Sequence, residues 1–186
     1  IILGGEGDDL IDGDAGADIL GGDGGKDTVL GSLDDDLISG GLGDDSLDGG
    51  DGLNQLLEIA DVNFTLSDTQ LLGLGIDVLS NLQRAQLVGG ISGNQIDASG
   101  FSGKTTLNGG DGNDVLIGGS QVDQLFGDGG DDLLQGNGGN DSLVGGLGSD
   151  LVQESADVDF ELTDSELIGL GTDSLSGIEQ AKLIGG

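Results

Sequence analysis

The chain has no cysteine, histidine, proline, methionine, tryptophan or tyrosine, and four phenylalanines are its only aromatic residues. Without cysteine there is neither a disulfide scaffold nor a thiolate metal site, which leaves the compartment open. Without histidine or cysteine, an isolated carboxylate pair is the only acid/base couple left, so no enzymatic activity is expected. Basic residues are nearly as scarce: four Lys and Arg stand against 36 Asp and Glu, a net charge of −32. Nucleic acid is excluded as a partner, because a phosphate backbone needs Lys and Arg to release its counterions. Polyvalent cations are favoured instead. No apolar run approaches a membrane span, and no basic, apolar signal segment stands at the start. The chain opens in mid-pattern on Ile1 and reads as an excerpt of something longer.

What the chain does have is glycine, 42 of 186 residues, placed periodically. Residues 109–117 read Gly-Gly-Asp-Gly-Asn-Asp-Val-Leu-Ile, and the same nine-residue pattern fills 109–153 and 4–57 without insertion. Position 1 is Gly in all eleven copies. Position 4 is Gly except at Asp34 and Gln121, position 6 is Asp except at Asn54, and position 8 is always aliphatic. A fixed short period means one structural unit stacked many times. Positions 1–6 read as a turn. Gly at 1 and 4, and Asp14, Asp23, Asp128 or Asn137 at 2, suit left-handed backbone. Positions 7–9 read as a short strand with position 8 facing inward. Two nonapeptides make one eighteen-residue coil, and the coils stack as two parallel sheets closed by turns. One buried aliphatic per nine residues is too little to order so much glycine, so another source of stability is required.

After Leu57 the frame breaks. Residues 58–90 return at 154–186, so the chain is a tandem array of 96-residue units. Residues 1–12 end one unit, 13–57 form a first array continuous with 4–12, and 58–108 an insert. A second array fills 109–153, and 154–186 begin a second insert. Val62, Phe64 and Leu66 alternate as a half-buried strand, and Ala85 and Leu87 share a face of a later one. Ser67-x-x-Gln70 and Thr163-x-x-Glu166 predict capping boxes that open short helical turns ended by Gly73 and Gly169. Residues 91–99 and 100–108 keep the nine-residue frame but lose its Asp. Ile96 and Thr105 stand at position 6 and Ala98 and Leu107 at position 8, as metal-free coils that continue the solenoid.

The pattern Gly-Gly-x-Gly-x-Asp-x-aliphatic-x resembles the calcium-binding RTX nonapeptide. The resemblance implies an all-β, right-handed parallel β-roll with Ca²⁺ in its turns, interrupted here by irregular 51-residue inserts. In that family, carbonyls of positions 2 and 4 and the position-6 carboxylate of one turn meet carbonyls of positions 1 and 3 and the position-6 carboxylate two repeats later. Carried onto this chain, the first array holds Asp9/Asp27 with Gly5, Gly7, Gly22 and Gly24, and Asp18/Asp36 with Asp14, Gly16, Gly31 and Leu33. It also holds Asp27/Asp45 with Asp23, Gly25, Gly40 and Leu42, and Asp36/Asn54 with Ser32, Asp34, Gly49 and Asp51. The second array holds Asp114/Asp132 with Gly110, Gly112, Gly127 and Gly129, and Asp123/Asp141 with Gly119, Gln121, Gly136 and Gly138. Asp132/Asp150 with Asp128, Gly130, Gly145 and Leu147 completes seven sites. Asp27, Asp36 and Asp132 would each bridge two ions. The neutral Asn54 makes its site the weakest.

Other motifs are decoys. Residues 98–105 resemble a phosphate-binding loop, but Ala98 replaces its first Gly and Asn108-Gly109-Gly110 leaves no helix after Thr105. Asp12-Gly-Asp-Ala-Gly lacks the helices and bidentate Glu of an EF-hand. Asn63-Phe-Thr and Asn140-Asp-Ser match the glycosylation sequon, a match common by chance. RTX proteins are similar in being exported by type I secretion. The expected role is thus a secreted, extracellular segment that folds on Ca²⁺, part of a long surface-layer, matrix-fibre or adhesin protein at the cell surface. One alternative is an accessory module that helps an exported enzyme or toxin to fold. Another is a self-assembling filament subunit joined to neighbouring repeats or like chains through exposed Leu30, Leu57, Ile117 and Phe126.

Overall fold

The computed structural model describes residues 1–186 and contains strands and turns but no helix. There are two sheets of eleven strands each, and outside the inserts successive strands alternate between them. One sheet begins Ile2–Glu6, Ile19–Gly24, Leu37–Leu42; the other begins Leu10–Asp12, Thr28–Leu30, Ser46–Asp48. Within the arrays every pairing is parallel and joins residues eighteen apart, such as Leu20 with Ile38 and Ile11 with Val29. The two-nonapeptide coil is therefore the repeating unit, and the architecture is that of a parallel β-roll.

Alternation of side chains sets the core. All eleven position-8 aliphatics are buried, and they join the inward residues of the inserts in one cluster of 23 side chains. Arrays and inserts thus share a single interior. Leu30, Leu57, Ile117 and Phe126 are half-buried rather than exposed, because the strands above and below cover their flanks. Phe126, for example, lies between Asn108 and Val144 in register. The most exposed apolar residues of the arrays sit at turn corners and at the edge strand instead: Leu42 at 62%, Leu147 at 80% and Leu10 at 74%.

Neither insert is irregular. In the first, Phe64–Ser67, Gln70–Leu72 and Ile76–Ser80 form an antiparallel meander within one sheet, while the other sheet continues directly from Gln55–Ile59 to Arg84–Val88. Phe64 and Leu66 are buried, as their alternation required, and so are Ala85 and Leu87. The expected helical turns are absent. Ser67 Oγ does accept the Gln70 amide, at 3.1 Å, but it clasps a hairpin, because Leu71 and Leu72 pair with Leu66 and Thr65. Thr163 accepts the Glu166 amide in the same way, at 3.0 Å. The frame at 91–99 also differs: Ile96 pairs with Leu116 and so takes the inward position 8, which places Asn94 at position 6.

Each 96-residue unit spans an odd number of half-coils. Leu37–Leu42 lies in one sheet, whereas its counterpart 96 residues on, in Leu133–Gln135, lies in the other. The first meander sits in one sheet and the second, Glu161–Leu162 to Thr172–Ser176, in the opposite one. Successive units therefore present equivalent surfaces on alternate faces.

Leu134 is fully buried and Leu147 is 80% exposed. Leu134→Ala should lower unfolding free energy by about 2–5 kcal/mol in saturating calcium. Leu147→Ala should stay within about 0.5 kcal/mol. Denaturant titration of both variants measures the difference.

Candidate metal centre

The turns owe their path to positions 2 and 4. Both have positive φ in nearly every copy, including Asp23 at 70° and Gly25 at 136°. Asp34, in place of the usual glycine, keeps the turn with a φ of 76°. Position 1 does not adopt this backbone; its glycine answers a different constraint. A Cβ on Gly22 would fall onto Asp27 Oδ2 and the Gly40 carbonyl, the latter at 2.5 Å. Position 1 is thus glycine because the carboxylate of its own repeat and a carbonyl two repeats later converge beside it. The same convergence holds at Gly4, Gly13, Gly31, Gly118 and Gly127, which face the carbonyls of Gly22, Gly31, Gly49, Gly136 and Gly145.

Position-6 residues stack along each edge of the roll as a ladder. One carboxylate oxygen of each accepts the backbone N–H of the position-6 residue one coil below. Asp27 accepts from Asp9 at 2.8 Å, Asp36 from Asp18 at 2.9 Å and Asp45 from Asp27 at 2.8 Å. In the second array Asp132 accepts from Asp114, Asp141 from Asp123 and Asp150 from Asp132, at 2.8–2.9 Å. The sequence-assigned pairs are therefore neighbours. The second oxygen is the telling one. Oδ2 of Asp9, Asp27, Asp36, Asp45, Asp114, Asp132, Asp141 and Asp150 is buried with no hydrogen-bond partner. Buried polar atoms are ordinarily satisfied, and a buried unpaired charge is expensive. No Lys or Arg side chain forms an ion pair with any of these carboxylates.

This donor set fits a hard divalent cation. The donors are all oxygen, from carboxylates and glycine carbonyls, which suits Ca²⁺ and suits no thiolate- or imidazole-seeking metal. Nowhere do three acidic side chains gather as a metal-holding group, so carbonyls must supply most of the ligands. The position-1 carbonyls meet the carboxylates as described. Of the other assigned carbonyls, Gly24, Leu42, Gly129 and Leu147 each accept one amide from the coil below, as do Asp14, Ser32 and Gly119 from the coil above. Each retains a second lone pair.

Three positions depart from the pattern. Asn54 accepts the Asp36 amide with its oxygen, and its NH₂ donates to the carbonyls of Gly50 and Asn81, where the next gap begins. Asp123 receives the Gly119 amide on Oδ2 at 2.7 Å, since neither Gly119 nor Gln121 takes the left-handed backbone. Asp18, near the first coil, is half-buried and 3.9 Å from the N-terminal ammonium.

Sequence reading missed the ladder's continuation. Asp77 accepts the Asp45 amide, Asp173 that of Asp141, Gln83 that of Asn54 and Glu179 that of Asp150. The signal was present: 75–79 and 171–175 read Gly-x-Asp-x-Leu, the second half of the nonapeptide. The decoys resolve as structure. Thr105 lies in the strand Lys104–Asp111, Asp12 bonds Ser32 and its own turn, and the sequon side chains of Asn63 and Asn140 accept strand amides.

Burial is the largest cause in every raised carboxyl here. Glu58, Asp141 and Glu154 are pushed up to about 7, and Asp77 and Asp132 to about 6. Like charges above and below add to the rise at Asp132 and Asp141, and Asp45 and Asp44 below add to it at Asp77.

Fold and site together define a parallel β-roll whose corners are built for divalent cations. The profile of the RTX calcium-binding nonapeptide repeat matches residues 1–29, 21–56, 99–134 and 118–152. The chain belongs to this family, whose repeats bind Ca²⁺ and serve a structural role. No curated protein matches it as a relative.

Gln121→Gly should restore the left-handed corner, free Asp123 Oδ2 and lower the calcium midpoint of folding; an unchanged midpoint would mean that this corner holds no ion. Carboxyls whose folded pKa lies above the unfolded value bind protons more tightly when folded. Their contribution to stability is fully present below about pH 4 and lost as pH rises through 6–7. In chelator, β-sheet ellipticity should therefore persist better at pH 5 than at pH 8. With calcium, the midpoint should rise as pH falls from 8 to 6, because the ion displaces protons.

Proposed function

We propose that the chain is a calcium-folded structural segment of a long extracellular protein, a stalk of the surface-layer, matrix-fibre or adhesin kind. One observation carries this reading: buried, partnerless Asp oxygens converge with position-1 carbonyls at corner after corner, in both arrays. Asp9, Asp18, Asp27, Asp36, Asp45, Asp114, Asp132, Asp141 and Asp150 supply the charge, with Asn54 and Asp123 the weaker members. Calcium neutralises the stacked carboxylates and links each turn to the one two repeats on. A right-handed coil follows the general sense of parallel crossovers.

The charge of −32 supplies the switch. Where calcium is scarce, self-repulsion keeps the chain open. Where it is abundant, as outside the cell, binding becomes folding, at about 10⁻⁴–10⁻³ M for extracellular modules. Export of such repeat proteins fits this order of events. A stalk is favoured over an accessory module because arrays and inserts share one core and the 96-residue unit can be stacked without end. Domain limits follow the same logic: 13–57 and 109–153 are calcium arrays, and 58–108 and 154–186 are spacers that reset the stack.

Asp132 stands between Asp114 and Asp150 in the ladder. Asp132→Ala should impair two sites and raise the calcium midpoint more than Asp150→Ala, read by circular dichroism during titration. Equal midpoints for the two variants would contradict bridging.

A further inference from the structure

The carboxylate ladder does not stop where the nonapeptides stop. Above Asp45 stands Asp77, in the insert strand Ile76–Ser80, whose Oδ1 accepts the Asp45 amide at 3.0 Å. Val78 and Leu79 pair with Ser46 and Leu47, so this strand is a true next rung. The second array ends identically. Asp173 accepts the Asp141 amide at 3.0 Å, and Leu175 pairs with Leu143. Glycine stacking continues too: a Cβ on Gly75 or Gly171 would strike the carbonyl of Gly43 or Gly139. Positions 4–8 of a nonapeptide are thus rebuilt by insert residues on top of each array.

Positions 1–3 are not rebuilt. Where the next position-1 glycine is due, nine residues after Gly49 and Gly145, stand Glu58 and Glu154, only 3% and 1% exposed. Glu58 accepts the amides of Gly40 at 2.7 Å and Gly41 at 3.4 Å, together with the Ser39 hydroxyl at 3.1 Å. Glu154 accepts the Asn137 amide at 2.9 Å. Oε2 of Glu154 is buried without a partner, and so are Oδ2 of Asp45 and of Asp141. The pairing of Asp45 with Asp77, flanked by Glu58 on the opposite sheet, thus recurs as Asp141 with Asp173, flanked by Glu154, with no basic residue paired to any of them.

We propose that each array is closed by one further divalent-cation site, held by Asp45 and Asp77 at the first seam and by Asp141 and Asp173 at the second. Glu58 and Glu154 orient the corner amides and bring a third negative charge to the rim. The donors are again oxygen alone, which selects a hard cation such as Ca²⁺. These sites lie outside the nonapeptide pairs and rest on the calcium reading of the arrays. Their effect is to clasp each meander to its array, so that the seam stiffens with the rest of the stalk.

The test counts ions on the full chain with radiolabelled calcium in equilibrium dialysis. Asp77→Asn and Asp173→Asn keep the oxygen that receives the amide and remove only charge. Each should cost one bound ion, or weaken one site at least about tenfold, as expected for loss of a charged ligand. The double variant should lose two, with the rest of the isotherm unmoved. Unchanged stoichiometry and midpoints would overturn the seam sites while leaving the arrays intact; failure of the unaltered chain to bind calcium would instead sink the array reading. If the double variant does not fold in saturating calcium, crystals of the unaltered chain grown with calcium decide. Anomalous density between Asp141 and Asp173 supports the proposal, and its absence there overturns it.

Discussion

A carboxylate oxygen buried against a glycine carbonyl is the interaction on which the molecule turns. Each oxygen repels the other when nothing lies between them, and the fold repeats this repulsion along both edges of the roll. Asp27 and Asp132 are 1% and 2% exposed, each with one oxygen fixed by an amide and the other without a partner. An unpaired buried charge of this kind is costly, and the all-oxygen donor set around it suits a divalent cation. The position-1 glycines exist to permit this approach, since any Cβ would stand where the two oxygens meet.

From that constraint the remaining structure follows. Within the arrays the ladder bonds join position-6 residues eighteen apart, in step with the stacked columns of position-8 aliphatics. Those columns form one narrow core through arrays and inserts alike. The meanders lengthen one sheet while the other runs on, and they carry their own aspartates, Asp77 and Asp173, into the ladder. Because a unit contains an odd number of half-coils, equivalent surface features of successive units fall on alternating sides.

Much of this was legible in the residues. The nine-residue period gave the coil, position 8 gave the core, and Asp14, Asp23 and Asn137 betrayed the left-handed position 2. What escaped was whatever depends on neighbours far along the chain. Position-1 glycine looks like a turn residue, yet its reason lies eighteen residues away. Ser67-x-x-Gln70 makes the same local hydrogen bond in a hairpin as at a helix start, and only the pairing of Leu71 with Leu66 decides between them. Asn94 hides two residues out of frame because the coil from it to Asp114 spans twenty residues, so the nine-residue count puts Ile96 at position 6 where the structure has it at position 8. Asn54 reads as a weak ligand, but its NH₂ also bonds two carbonyls in the gap beyond.

Chain dimensions report most directly on whether cations hold the corners. Small-angle scattering should give a radius of gyration of about 46 Å in chelator, the size expected for an open chain of this length. On addition of calcium the radius should fall to less than half that value in one cooperative step. A chain equally compact with and without calcium would contradict the central claim.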